Sequence, residues 1–192
     1  HQAARWLADH GYESTIAYVA AAARRVLDET GLLPHVNAGA LYPEELAMLR
    51  PMAASQGMMI ETLNGALECH RGAPDKEPAR RLATLEAAGE LTIPFTTGIL
   101  VGIGESRQDR LDALRAIITS HVRHGHVQEV IVQNFLPKVD SGMRNAPACP
   151  ADDLLWSIAA ARLVLPPDVH LQAPPNLTDD FSALIAAGLD DW

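Results

Sequence analysis

Residues 94–106, PFTTGILVGIGES, decide how this chain folds. Ile93 to Val101 is apolar with small polar interruptions, the pattern of a strand covered on both faces. It runs into Gly102-Ile103-Gly104-Glu105, where two glycines permit a sharp turn and a close backbone approach. Ser106 then caps a helix, and Asp109 three residues on completes a variant of the capping box. A buried strand, a glycine turn and a capped helix place a binding loop at the carboxyl end of a parallel sheet. That is where α/β folds keep their ligands.

The same alternation extends in both directions. Strands are expected at 32–37 (LLPHVN), 58–62 (MMIET), 127–135 (VQEVIVQNF) and 169–172 (VHLQ). Helices are expected at 14–30, 43–55, 77–90, 108–123, 152–165 and 179–187, with a loop at 63–74. Strands separated by single helices signal right-handed βαβ units and a parallel sheet. Five strands fit a barrel or an open arc of one.

Composition bounds the function. The 192 residues suffice for one domain with a substantial core, and 15 basic against 24 acidic residues give a net charge of −9. That balance argues against nucleic acid or an anionic membrane surface as the main partner. Two cysteines, Cys69 and Cys149, form neither a disulfide framework nor a metal-ligand spacing. With no signal peptide and no apolar run long enough to span a bilayer, the expected location is the cytoplasm. A chain that opens on His1 rather than Met is expected to be a piece of something longer.

The expected strand ends collect polar groups: His35 and Asn37, Glu61 and Thr62, Thr96 and Thr97, Gln133 and Asn134, and finally Gln172 and Asn176. Such a rim suits a ligand rich in hydroxyl, carbonyl and amide functions. Glu61 stands out, because an acid ending an apolar strand is costly unless paired or binding. Cys69 beside His70 reads as an idle pair, since adjacent loop residues rarely converge on one ion. A dinucleotide fingerprint fails: Arg107 stands where the third glycine belongs, and Glu105 would repel a pyrophosphate. No catalytic nucleophile and no metal ligands are assigned.

Gly98-Ile-Leu-Val-Gly102-Ile-Gly-Glu105 resembles the G-x-I-x-G-x-x-E pattern of radical S-adenosylmethionine (radical SAM) enzymes, with Leu100 in place of the isoleucine. With PHVNAG (34–39), GMMIET (57–62), APDKEPARRL (73–82), HVQEVIVQNF (126–135) and QAPPNL (172–177), the chain resembles the 7,8-didemethyl-8-hydroxy-5-deazariboflavin synthases of the CofG type. The likeness runs from about Arg5 to Trp192. It implies an α/β fold, a partial TIM-type (β/α)6 radical SAM barrel, with residues 1–192 a single core-domain fragment of about five parallel strands. The implied cofactors are S-adenosylmethionine and a [4Fe-4S] cluster. Reduction of that cluster generates a 5′-deoxyadenosyl radical, which abstracts hydrogen from a tyrosine-derived adduct of 5-amino-6-ribitylaminouracil. Ring closure with loss of ammonia then gives the deazaflavin chromophore. The implied partners are this small-molecule substrate, a reductant and the tyrosine-adding radical SAM subunit or fused half.

Residue roles follow from the resemblance by position. Glu61 is expected at the ribose hydroxyls and Arg81 at the methionyl carboxylate. Gly98, Leu100, Gly102, Ile103, Gly104 and Glu105 are expected around adenine, Glu105 as a brace of the turn. His35, Asn37, Thr62, Gln133, Asn134, Gln172 and Asn176 are the substrate-side candidates. The departure is the C-x-x-x-C-x-x-C cluster motif, which these residues lack; the fragment alone is therefore expected to be inactive. Two rivals stand beside this reading: a non-catalytic SAM-barrel remnant or pairing module, and a non-radical TIM-barrel lyase. The latter would want a strand-end lysine, yet Lys76 and Lys138 fall in expected loops.

Overall fold

A computed structural model describes residues 2–175 and 180–192. Helix α1 (Gln2–Asp9) was not marked by the pattern; none of its residues is buried, and Trp6 stacks on His10 with centroids 4.0 Å apart. Helix α2 (Thr15–Thr30) begins where Ser14 Oγ accepts the Ala17 N–H at 3.0 Å, and it ends at Gly31 in the left-handed region. There follow β1 (His35–Val36), α3 (Pro43–Leu49), β2 (Ser55–Gly57), α4 (Pro78–Glu90) and β3 (Phe95–Val101). The chain continues through α5 (Arg107–His124), β4 (Val127–Asn134), α6 (Ala151–Val164), β5 (His170–Gln172) and α7 (Phe181–Ala186).

The five strands are all parallel and lie side by side in chain order. Successive helices from α2 to α7 pack on one another, so they form one layer on one face of the sheet. Phe95, Ile99, Val101, Val130, Val132 and Leu171 turn toward that layer and are fully buried against Leu85, Leu114, Ile117 and Ile158. The expected α/β alternation is thus the observed one. Strand periodicity sends the alternate residues to the opposite face: His35, Ser55, Thr96, Gly98, Leu100, Glu129, Ile131, Gln133 and Gln172.

Three elements differ from their expected bounds. The helix expected to reach residue 55 ends at Leu49, because Pro51 lacks an N–H and forces a 3-10 turn over Arg50–Met52. The strand expected at 58–62 lies earlier, at Ser55–Gly57. Polar Gln56 is accommodated in the core because its Nε2 donates to the Leu46 carbonyl at 3.0 Å. Beyond the Met58 N–H, which still donates to Thr96 O at 3.0 Å, the ladder is interrupted: the Met59 carbonyl accepts from Arg81 instead of β3, and pairing resumes at Glu61, opposite Ile99. Between the Gly57–Thr96 and Glu61–Ile99 pairs, the β2 side carries one more residue than the β3 side, which makes a bulge. The first expected strand is likewise shorter, with Leu32 and Leu33 exposed.

Candidate functional site

Glu61 lies where that bulge meets the carboxyl end of the sheet. Its φ of 62° is a left-handed conformation for a non-glycine residue, with a strain on the order of 1–3 kcal/mol. Two bonds to β3 hold it there: its N–H donates to Gly98 O at 2.9 Å, and its carbonyl accepts from Leu100 N at 3.0 Å. The carboxylate is nearly buried and surrounded by basic side chains. Lys76 Nζ and Arg81 Nη1 both donate to Oε1, the latter at 3.3 Å, and His70 Nε2 lies 3.0 Å from Oε2. Arg81 is itself buried, its Nε donating to Asp75 O at 2.8 Å and its Nη1 to Met59 O. Burial lowers the Arg81 pKa, and the Glu61 carboxylate opposes that shift.

The glycine turn is built beside this cluster. Glu105 folds back so that Oε1 accepts the Gly102 N–H and Oε2 the Ile103 N–H, each at 2.8 Å. Arg110 Nε donates to Glu105 Oε1 at 2.7 Å, which compensates an otherwise buried charge. Glu105 therefore braces the turn. The two glycines have different reasons: Gly102 (φ 97°) leaves room for Cys149, against whose Cβ a methyl group would stand 2.7 Å away. Gly104 (φ 105°) is exposed and meets only Leu67, at 3.9 Å. The lack of a side chain at Gly98 is filled by the Ile131 carbonyl of β4.

Of the substrate-side candidates, His35, Gln133 and Gln172 share the sheet face opposite the helices, with Thr96, Leu100 and Glu129 among them. His35 Nδ1 lies 2.8 Å from Ser55 Oγ, and burial lowers its pKa. Asn134 alternates to the helix side and is buried, although at the strand end it borders a cavity of ≈190 Å³ with Leu100, Gln133 and Lys138. Thr62 is buried too, its Oγ1 accepting the Asn64 N–H at 3.1 Å in a local turn. Asn37 is exposed beyond β1, and Asn176 lies outside the described residues.

Sequence reading left Lys76 and His70 out of the site. Their signal lay in the loop between β2 and α4, which folds over the glycine turn: Cys69 Sγ donates to Ile103 O at 3.7 Å, and Asn64 Nδ2 to Asp109 Oδ2 at 3.3 Å. Glu129 was also left out. It is half-buried, and burial, then the charge of Asp191, raises its pKa.

No family model matches the chain. The FO synthase of Mycobacterium tuberculosis (strain ATCC 25618 / H37Rv) is 52% identical to it over 198 aligned positions, covering 100% of this chain and 23% of that protein. The 7,8-didemethyl-8-hydroxy-5-deazariboflavin synthase of Methanosarcina acetivorans is 46% identical over 181 positions, covering 94% of this chain and 54% of its relative. The chain matches a segment of the deazaflavin synthases. It spans about a quarter of the length of the FO synthases and about half of the Methanosarcina acetivorans protein. Among solved structures, HydG, a maturase of the [FeFe]-hydrogenase, superposes with a TM-score of 0.76 at 17% identity, covering 92% of this chain and 42% of that one. Methylornithine synthase (PylB) gives 0.75 at 19%, covering 91% and 50%. Those likenesses concern the fold, which this chain shares as part of an α/β barrel.

The residues present differ in how they fit the two cofactors that the resemblance implies. A carboxylate offers about four acceptor positions; the described donors take three on Glu61, so capacity for a ligand hydroxyl remains. Arg81 Nη2 donates to no described residue, which leaves a planar donor for a carboxylate. S-adenosylmethionine suits this donor set. The [4Fe-4S] cluster does not, because the 192 residues hold two cysteines and the described ones bring no three metal-ligating side chains together.

Proposed function

We propose that this chain is the S-adenosylmethionine-holding part of a radical SAM carbon–nitrogen lyase, 7,8-didemethyl-8-hydroxy-5-deazariboflavin synthase. Its substrate would be the tyrosine-derived adduct, 5-amino-5-(4-hydroxybenzyl)-6-ribitylimino-dihydrouracil, closed to the deazaflavin chromophore with loss of ammonia. The observation that carries this reading is the 46–52% identity to deazaflavin synthases across nearly the whole chain. The geometry supports it at the rim. Glu61 accepts from the ribose diol, Arg81 Nη2 donates to the methionyl carboxylate, and the exposed Gly104 end of the turn receives the adenine. S-adenosylmethionine supplies a carbon-centred radical when bound and reduced. The chain's own part is to orient it and to present the polar sheet face of His35, Gln133 and Gln172 to the ribityl and uracil groups. Cluster ligands and the tyrosine-adding half belong to other residues, consistent with the small share of the FO synthases that this chain covers.

The test uses the full-length protein with its cluster reconstituted, given the adduct, S-adenosylmethionine and a strong reductant. The expected products are the fluorescent deazaflavin chromophore and 5′-deoxyadenosine, and E61Q is expected to lower kcat/KM for S-adenosylmethionine at least about tenfold, the loss of a charge-assisted bond pair. Release of 5′-deoxyadenosine with no chromophore from the adduct would remove this substrate from the proposal.

A further inference from the structure

We infer that Lys76 and His70 are positioning residues, which set the direction in which the Glu61 carboxylate faces its ligand. The inference rests on the reading of Glu61 as a ribose-diol acceptor and adds to it two residues of the loop over the glycine turn. The backbone of Glu61 is fixed by its two bonds to β3, but those bonds leave the carboxylate free to rotate. Arg81 cannot fix it alone: its Nε and Nη1 are already directed to the Asp75 and Met59 carbonyls, and it reaches only Oε1, at 3.3 Å. Lys76 holds the same Oε1, and His70 Nε2 holds the other oxygen, Oε2, at 3.0 Å. A carboxylate gripped on both oxygens has one plane. Since an ionised carboxylate only accepts, the His70 tautomer facing it carries its proton on Nε2.

The two residues are placed to respond to a ligand as well. The Lys76 side chain is 34% exposed, and Lys76 and His70 line a cavity of ≈300 Å³ between the loop at Gly65–Gly72 and the start of α4. The alternative is an ordinary ion-pair network that only pins the loop, and the two roles differ in what they change. Pinning alters stability and leaves affinity alone. Orientation alters affinity through Glu61 and vanishes when the Glu61 charge is gone.

The experiment measures, in the full-length protein, the dissociation constant of S-adenosylhomocysteine by calorimetry and the melting temperature of each variant. K76M and H70N are each expected to weaken binding about 5- to 20-fold with little change in melting temperature, and K76R to restore most of the loss. In an E61Q background, K76M is expected to add less than twofold, because the two residues act as a unit. Wild-type affinity in K76M and H70N, or a K76M loss of full size in the E61Q background, would overturn the inference. A lowered melting temperature with unchanged affinity would also overturn it, in favour of loop pinning. If K76M does not fold, K76R and H70N carry the same comparison. A wild-type protein that does not bind the probe refutes the underlying reading and this inference with it; one that binds while the variants bind equally well refutes the inference alone.

Discussion

At the scale of single residues, Gly98 and His126 show how a position can serve the fold when its neighbours suggest function. Gly98 was expected beside a bound adenine from the resemblance alone, and a methyl group there would run into the Ile131 carbonyl across the ladder. G98A is therefore expected to lower stability by about 1–3 kcal/mol, the range for overpacking, as read from denaturant unfolding. His126 is buried at the start of β4, its Nε2 bonded to Leu85 O at 3.0 Å, and burial lowers its pKa from 6.5 to about 4. The folded chain thus binds fewer protons than the unfolded one between those values. The stability involved is intact above pH 6.5 and lost as pH falls toward 4, on the order of 2 kcal/mol. Melting temperatures of wild type and H126Q from pH 7 to 4.5 check this, and the acid-side drop is expected to be shallower in H126Q. Sequence alone picked out Glu61 because its chemistry is local, an acid at the end of an apolar run. It could not pick out Lys76 and His70, whose role depends on how a loop folds back across fifteen and nine residues.

At the scale of elements, the strand–turn–helix unit of β3 and α5 was fully legible, since cap, turn and alternation are all short-range signals. Ser106 and Asp109 form the expected reciprocal box, and the Ser106 backbone N–H and hydroxyl lower the Asp109 pKa. S106A is expected to cost about 1 kcal/mol. The turn itself depends on a longer bond, Arg110 to Glu105. R110M leaves a buried carboxylate without its cation and is expected to cost about 3 kcal/mol or more in urea unfolding. β2 was misplaced for the complementary reason. Met58–Ile60 has the apolar character of a strand, but tertiary bonding decides the ladder: Gln56 finds Leu46 O, Arg81 takes Met59 O, and the paired residues become Ser55–Gly57. Pro51, visible in the sequence, carried the information that α3 would end early.

At the scale of the molecule, parallel strands in chain order with one helical layer make an open arc whose polar face lies opposite the helices. Alternation alone was enough to read that architecture from the sequence. Which residues share a face was not, because the bulge before Glu61 and the register shift at Phe95/Thr96 change the parity along the strands. The proposed role of the rim formed by Glu61 and the Gly102–Glu105 turn is to hold S-adenosylmethionine. Hydrogen–deuterium exchange of the full-length protein with and without S-adenosylmethionine tests it most directly. Slower exchange is expected at residues 61–76 and 102–106, with the His121–His126 region at the other end of the sheet unchanged. Protection confined to any other region, or none at saturating ligand, would contradict it.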